Sequence, residues 1–375
     1  MRVIRGLHNL KAAHRGCVAT IGNFDGVHRG HQAILQQCRE HAARWSVPLT
    51  VVVFEPQPRE FFAGDQAPPR LTRLGEKVRL LRDFGAEQVL CLPFNDALRS
   101  LTGREFIDQV LIEGLGVKHL VVGDDFRFGC DRRGDFALLA DVGREQGFGV
   151  EHTRTFTVDD ERVSSTRVRT LLASGNFSAV ARLLGRPYSL HGRVVRDQQL
   201  GRTIGAPTAN VPLLPQPLTL RGVFAVMAEL ENGQRYPAVA NVGFRPTVGS
   251  RRPTLEVHLL DFSGDLYGQR MTVFPCARLR GEVKFDDLEA LKAQIERDQA
   301  RARQYLTAAM AEQDGDHQNG ADQNDVDLND ADLNDADLND AFPLASAPLG
   351  RETMVSNTIS SDPSSADDAA DADNG

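Results

Sequence analysis

Nowhere in this chain do apolar residues run long enough to cross a bilayer. The longest strongly apolar stretch, Val47 to Phe54, covers about eight residues, whereas a membrane span takes about twenty. The N-terminus lacks the continuous apolar core of a signal peptide, with Arg2, Arg5, Lys11 and Arg15 scattered among polar residues, so a cytoplasmic chain is expected. Cysteines are few and odd in number, at positions 17, 38, 91, 130 and 276, without Cys-x-x-Cys spacing. That excludes a zinc ribbon or a disulfide scaffold and predicts reduced, mostly buried thiols. Neither the Gly-x-Gly-x-x-Gly fingerprint nor a Walker A lysine motif occurs, so any nucleotide chemistry needs another device.

What is present begins with size and charge. The 375 residues, 41% hydrophobic and 25% charged, allow two domains of ordinary globular composition. The net charge of −8 hides a split: residues 1–310 hold 42 Lys and Arg against 34 Asp and Glu, and residues 311–375 hold one Arg against 17 acids. A mildly basic body suits small polyanions such as nucleotides, and it is too dispersed to predict a nucleic-acid partner. Beyond residue 310 the composition collapses into Asp, Asn, Ala and Ser, with Asp327-Leu-Asn-Asp-Ala331 repeated in register at 332 and 337. An EF-hand reading starting at Asp325 fails, because position six is Asp330 and position twelve Ala336. Residues 311–375 are therefore expected to be a disordered acidic tail.

The strongest local signal is Val18-Ala-Thr-Ile-Gly-Asn-Phe-Asp-Gly-Val-His-Arg-Gly-His31. A short buried strand, a turn with glycines at 22, 26 and 30, and a helix opened by His28 and His31 make a phosphate site in outline. A helix N-terminus offers unpaired N–H groups and the positive end of its dipole. Two histidines three apart can equally be surface decoration, but strand, glycine turn and helix start in that order favour a nucleotide-binding βα unit.

From residue 17 to about 185, strand candidates Cys17–Ile21, Leu49–Phe54, Gln88–Leu92, His119–Val122 and Val150–Thr155 alternate with helical periodicity. Thr102-Gly-Arg-Glu105 spells a capping box. The pattern predicts a doubly wound parallel α/β domain with its site at the carboxyl ends of the strands. Glu55-Pro-Gln-Pro-Arg-Glu60, Gly123-Asp-Asp-Phe-Arg-Phe-Gly129 and Val163-Ser-Ser-Thr-Arg-Val-Arg169 fall there. The third offers anion contacts, and Ser164 or Ser165 serves equally well as a plain helix cap.

Near Arg186 the pattern changes to short β runs, His191–Arg196, Val223–Leu230, Pro237–Val242, Leu255–Leu260 and Met271–Arg280, which read as a compact antiparallel barrel. A closing helix is expected from about Asp286 to Met310, with Leu288, Leu291, Ile295, Ala302, Tyr305 and Leu306 inward. In the glycine-rich loop 201–210, Thr208 and Asn210 would share one face of an extended segment, where they could hold a hard cation. Glu256 either faces solvent or serves the site as a base. Arg280 to Phe285 is either a charged turn or a ligand clamp.

Taken together these motifs resemble the bacterial bifunctional riboflavin kinase and FAD synthetase family over about residues 1–310. Gly22-Asn-Phe-Asp-Gly-Val-His-x-Gly-His31, Val122-Gly-x-Asp-Phe-Arg-Phe-Gly129 and Ser164-Ser-Thr-x-x-Arg169 resemble its adenylyltransferase module. Gly205-x-Pro-Thr-Ala-Asn210, Leu255-Glu-Val-His258 and Arg280-x-Glu-x-Lys-Phe285 resemble its flavokinase module. The resemblance implies a Rossmann-like nucleotidyltransferase domain at 1–185, a β-barrel riboflavin kinase domain at 186–310 and the tail at 311–375. It implies ATP-dependent conversion of riboflavin to FMN, then of FMN to FAD with release of pyrophosphate, with Mg²⁺ as cofactor and small molecules as the partners.

By that resemblance His28 and His31 are catalytic in adenylyl transfer, and Gly22, Asn23, Phe24, Asp25, Gly30, Ser164, Ser165, Thr166 and Arg169 bind ATP or its phosphates. Asp124, Asp125, Phe126 and Phe128 line the flavin side. In the kinase module Glu256 is the base, Thr208 and Asn210 hold the metal, and Gly201, Gly205, Pro207, Arg280 and Lys284 contact ATP or flavin. Gln57 stands where the family commonly has His, and Gly281 where Pro is common. Two rivals remain: a nucleotidyltransferase for another small phosphate, which leaves the second module without a use, and a flavin-binding regulator without catalysis, against which the intact His28, His31, Thr208, Asn210 and Glu256 argue.

Overall fold

A computed structural model describes residues 1–123, 126–153, 155–196, 207–213, 218–247 and 250–316. Six strands build the first sheet: β1 (Arg2–Arg5), β2 (Val18–Ile21), β3 (Leu49–Glu55), β4 (Gln88–Pro93), β5 (His119–Val122) and β6 (Gly149–His152). Their order is β1-β4-β3-β2-β5-β6, and every pairing is parallel. Strands β2, β3 and β4 are buried almost throughout, as helices on both faces require. Val18, Val51, Val53, Val89 and Cys91 face α1 (Arg29–Trp45) and α2 (Leu74–Asp83). Ala19, Ile21, Val52, Leu90 and Leu92 face the other layer, where Phe106, Val110, Leu111, Leu139 and Val142 pack. The helix predicted at Thr102 is capped as its spelling requires: Glu105 N–H donates to the Thr102 hydroxyl at 3.2 Å, and Thr102 N–H to the Glu105 carboxylate at 2.8 Å.

The doubly wound expectation is met, with one strand more than the sequence pattern showed. β1 was invisible because only Ile4 of its four residues is buried. The chain leaves β2 toward β3 and later returns to β2's other side as β5. The crevice between their carboxyl ends is therefore the switch point where ligands settle in such sheets.

After a two-stranded ribbon of β7 (Thr157–Val158) and β8 (Glu161–Arg162), the second large sheet is antiparallel: β9 (Leu190–Arg193), β10 (Ala209–Pro212), β11 (Gly222–Leu230), β12 (Arg235–Thr247), β13 (Ser250–Leu259) and β14 (Arg270–Arg280), in the order β10-β13-β12-β11-β14-β9. A bridge between Val195 and Asn210 nearly closes it into a barrel. Helices α3 (Ser165–Ser174) and α4 (Phe177–Leu184) plug that barrel. Val168, Leu172, Val180 and Leu183 share one apolar core with Phe224, Val226, Ala240, Leu255 and Val257.

The closing helix, α5 (Leu288–Asp316), differs from expectation in two ways. It continues past Met310 through Ala-Glu-Gln, which are good helix formers, so the first six residues assigned to the tail are helical. Its buried face also shifts: Ala302 and Leu306 are buried, but Leu288 and Tyr305 are 53% and 45% exposed, while Asp298 is 2% exposed. Asp298 is tolerated there because its carboxylate accepts from Arg280 and Gln294, both at 2.8 Å. Three cysteines are buried as expected and Cys130 is exposed. The predicted tail from residue 317 lies outside the described residues.

Candidate active sites

The loop leaving β2 adopts a costly conformation. Phe24 and Val27 both have positive φ, 46° and 38°, a strain of about 1–3 kcal/mol each for residues with side chains. Asp25 fixes it. This carboxylate, 2% exposed, accepts the Leu71 N–H at 3.0 and 3.1 Å, the Thr72 N–H at 3.1 Å and the Thr72 hydroxyl at 3.3 Å, and it pairs with Arg169 of α3. Arg169 also donates to the Pro69 carbonyl at 2.6 Å, and Arg186 holds the Gly26 carbonyl at 2.9 Å. Position 26 requires glycine, since φ is 83° and a Cβ would meet Leu71 at 2.9 Å.

Helix α1 opens from this fixed loop. The His28 Nδ1 accepts the His31 N–H at 3.3 Å, so the imidazole itself is the N-cap. The two rings stack at 3.6 Å with 14° between planes, and Phe24 backs His31 at 4.8 Å. Because Nδ1 accepts, neutral His28 carries its proton on Nε2. Burial pulls His28 down to about 4, helped by the positive charges of Arg162, Arg169 and Arg186. His31 is also pushed well below the usual histidine range, by burial first and then by His28 and Lys77. Both imidazoles are neutral donors at neutral pH.

Helix α3 begins beside α1. Ser164 is its cap, the hydroxyl accepting the Arg167 N–H at 3.2 Å, and the Ser165 hydroxyl donates to the Asp25 carbonyl at 2.9 Å. A Cβ on Gly30 would lie 3.2 Å from the His28 ring and 3.4 Å from the Val163 carbonyl, so the helix starts meet with only hydrogen between them. Two N-terminal dipoles thus converge where the histidines sit, which suits a phosphate chain. Thr166 is exposed in the first turn of α3. Asp25 and Arg169, both expected to meet phosphates, are paired with each other, the Asp25 carboxylate also accepting from Leu71 and Thr72 and the Arg169 Nε donating to Pro69.

Four buried side-chain atoms lack a partner among the described residues: Asn23 Oδ1, His31 Nδ1, Gln57 Nε2 and Lys77 Nζ. All are carried by the segments following β2 and β3 or by the first turns of α1 and α2. Lys77 was missed at the level of sequence. It is fully buried, burial lowers its pKa, and Asp25, Arg70 and Glu55 lie within electrostatic reach. Its signal was a lysine on the core face of an amphipathic helix, three residues after Leu74 and one before Val78. Nearby, Arg70 bridges Glu55 at 3.0 Å and Glu60 at 2.5 Å, all three largely buried.

On the flavin side, Phe128 is 7% exposed and packs into the core against Phe106 at 5.5 Å. Half-buried Phe126 stacks on it at 5.3 Å. A second aromatic group went unread: Phe54 near the end of β3 and Phe61, Phe62 and Phe94 beyond the ends of β3 and β4 meet edge to face at 5.4–5.9 Å, with Phe62 66% exposed. Asp124, Asp125, Gly201 and Gly205 lie outside the described residues.

In the barrel, Glu256 of β13 stands in register with Asn210 of β10 and Asn241 of β12. Its neighbours Leu255 and Val257 fill the core, so the half-buried Glu256 projects from the barrel's outer face. Asn210 is 6% exposed there, and its amide donates to the Thr208 carbonyl at 3.5 Å. Two residues along, the His258 Nδ1 donates to the Pro207 carbonyl at 2.8 Å. Glu256, Asn210, Thr208 and Pro207 are thus brought together. Arg280 is instead held by Asp298 and lies over Phe285 at 5.6 Å, and Lys284 is exposed.

Comparison with known proteins gives matching results for both halves. The family model for FAD synthetase matches residues 10–167, and that for riboflavin kinase matches residues 184–306. The chain is 55% identical over 304 residues to a bifunctional riboflavin kinase/FMN adenylyltransferase of Pseudomonas fluorescens, covering 81% of this chain and 97% of that protein. It is 50% identical over 307 residues to the protein of the same description in Escherichia coli K12, covering 82% and 98%. A solved Streptococcus pneumoniae structure titled a macrolide-efflux protein superposes with a TM-score of 0.69 at 29% identity, covering 81% of this chain and 99% of that one. Among the described residues of the present chain, no helix is long and apolar enough to cross a membrane.

Proposed function

The chain belongs to the bifunctional riboflavin kinase/FMN adenylyltransferase family, and from that premise we propose that it makes FMN from riboflavin and ATP on its barrel and FAD from FMN and ATP on its parallel sheet. The division runs at about residue 185, with the kinase module reaching about residue 310 and the enzyme acting in the cytoplasm, where ATP is supplied. The observation that carries the reading is the convergence of the α1 and α3 N-termini on the neutral, stacked His28 and His31.

In adenylyl transfer, an FMN phosphate oxygen attacks the α-phosphorus of ATP and pyrophosphate leaves. The nucleophile is already anionic, so the protein's task is to position it and to stabilise charge on the bridging oxygen. Neutral His28 donates through Nε2, and His31 stands beside it. Gly22, Asn23, Gly30 and Thr166 border the space the phosphates would take. Asp25 and Arg169 fix the loop. Lys77 supplies a buried amino group whose N–H donors a phosphate oxygen would satisfy. Phe126 and the exposed Phe62 offer faces for the flavin ring.

In phosphoryl transfer, the terminal hydroxyl of riboflavin attacks the γ-phosphorus, Glu256 takes its proton and ADP leaves. The donor set beside Glu256, a Thr hydroxyl and an Asn amide oxygen, is hard oxygen and fits Mg²⁺. Thr208 and Asn210 would hold that ion, which when bound offsets the negative charge of the ATP phosphates. Chromatography of the purified chain with riboflavin, ATP and Mg²⁺ tests the reading: FMN should appear first and FAD after it. Riboflavin remaining unchanged while still bound would refute it.

A further inference from the structure

A second cluster of ligand-bearing side chains lies toward the other end of α1 from His28. His41 is thirteen residues along α1 from His28, about 20 Å at the helical rise. His119 begins β5, and Glu151 lies on the edge strand β6. The His41 Nε2 is 2.7 Å and the His119 Nε2 3.3 Å from the same Glu151 oxygen, Oε2. The two imidazoles stack at 4.0 Å. Metal-capable atoms of all three residues lie within 4.8 Å of one another.

We propose that His41, His119 and Glu151 form a binding site for a divalent ion of the zinc class, with a coordination position left open to solvent. Two imidazole nitrogens and one carboxylate oxygen suit borderline ions such as Zn²⁺, Ni²⁺ and Cu²⁺ rather than Mg²⁺. Tetrahedral ligands about 2.0 Å from a metal are about 3.3 Å apart; the His119–Glu151 separation of 3.3 Å meets that, the His41–Glu151 separation of 2.7 Å must widen slightly, and the ligand atoms all lie within 4.8 Å of one another. The carboxylate is also oriented from behind: the Gln37 amide donates to Oε1 at 2.7 Å, leaving Oε2 to face the histidines, the second-shell arrangement that metal carboxylates need. His41 and His119 are mostly buried and Glu151 is more open, at 37% side-chain exposure, so an ion can enter. On binding, the ion displaces any proton shared by the carboxylate and imidazoles. It ties the C-terminal half of α1 to the β5–β6 edge of the sheet.

The chain's single tryptophan, Trp45, stands edge-on to the His119 ring at 5.7 Å and provides the readout. Tag-free full-length protein, stripped with EDTA and exchanged into chelator-free buffer, is titrated with Ni²⁺ or Cu²⁺ while Trp45 fluorescence is followed, and Zn²⁺ is added as a competitor. Stoichiometric quenching that Zn²⁺ reverses, with a raised melting temperature in Zn²⁺, is expected. His41→Gln and Glu151→Gln, checked for folding by circular dichroism, should abolish both responses. Gln37→Ala, which touches no ligand atom, should weaken binding about tenfold. FMN and FAD formation should be unchanged by these variants. Absence of quenching, or quenching and stabilisation that persist undiminished in Glu151→Gln and Gln37→Ala, would overturn the site.

Discussion

Asp25 pins the loop of the proposed adenylyltransferase site, and replacing it should have a distinctive signature. Asp25→Ala strips the Leu71 and Thr72 N–H groups of their acceptor and separates Arg169 from a carboxylate that is 2% exposed. Breaking a buried, multiply hydrogen-bonded charge pair costs about 3–5 kcal/mol. For a domain of this size, about 2–4 °C per kcal/mol converts that to a loss of about 6–20 °C in the first melting transition. The strained turn at Phe24 and Val27 then loses what holds it, so His28 and His31 drift. Misplacement by about 1 Å costs about 100-fold in rate. Riboflavin phosphorylation, carried by the barrel, should survive below the melting transition. Asp25→Asn keeps an acceptor for the backbone and should fall between the two. Differential scanning fluorimetry and chromatographic assay of each half-reaction measure these effects. Asp25→Ala melting within about 1 °C of the parent, or a folded variant losing both activities equally, would refute the reasoning.

The remaining predictions concern the same groups. Burial holds His28 at about 4, below its unfolded value of about 6.5. The unfolded chain therefore binds the extra proton between those values, and stability should be full above pH 6.5 and fall by about 3 kcal/mol as pH drops to 4. His31 acts in the same direction. Urea denaturation across that range should show the slope, and His28→Asn should reduce it. Glu256→Gln should stop FMN formation while leaving FMN-to-FAD conversion largely intact, and the double variant His28→Ala, His31→Ala should do the reverse. Lys77→Met removes a buried amine without a partner and should raise the melting temperature while lowering FAD formation about 100-fold. An unchanged rate of adenylyl transfer would remove Lys77 from the site.

How much of this was legible in the sequence depends on whether a feature is local. Strands β2 to β5 were readable because helices on both faces force near-continuous apolar runs, and β1, with one buried residue, gave no such signal. The His28 helix start and the Thr102 capping box were readable because a cap and its partner lie three residues apart. Glu256 was ambiguous because alternation identifies the barrel's outer face but does not say whether that face is solvent or site. Its register beside Asn210, on a strand distant in sequence, is what supports the site reading.

The same limit separates engaged from available polar groups. Arg169 and Arg280 have the composition of phosphate ligands, yet Asp25 lies 144 residues from one and Asp298 lies 18 from the other, and no motif window includes both members of either pair. Conversely Lys77 sits in a stretch with no nucleotide motif, and the fold leaves its amine and the Gln57 amide nitrogen buried and unsatisfied, as it does Asn23 Oδ1 and His31 Nδ1. Burying a polar atom without a partner is costly in the free protein and is offset only when something else supplies the hydrogen bond. Four such atoms, on the segments after β2 and β3 and on the first turns of α1 and α2, argue more strongly for the proposed docking place of a polar ligand than any arginine already paired. The chemistry proposed for this end of the sheet therefore rests on the atoms that folding leaves unsatisfied.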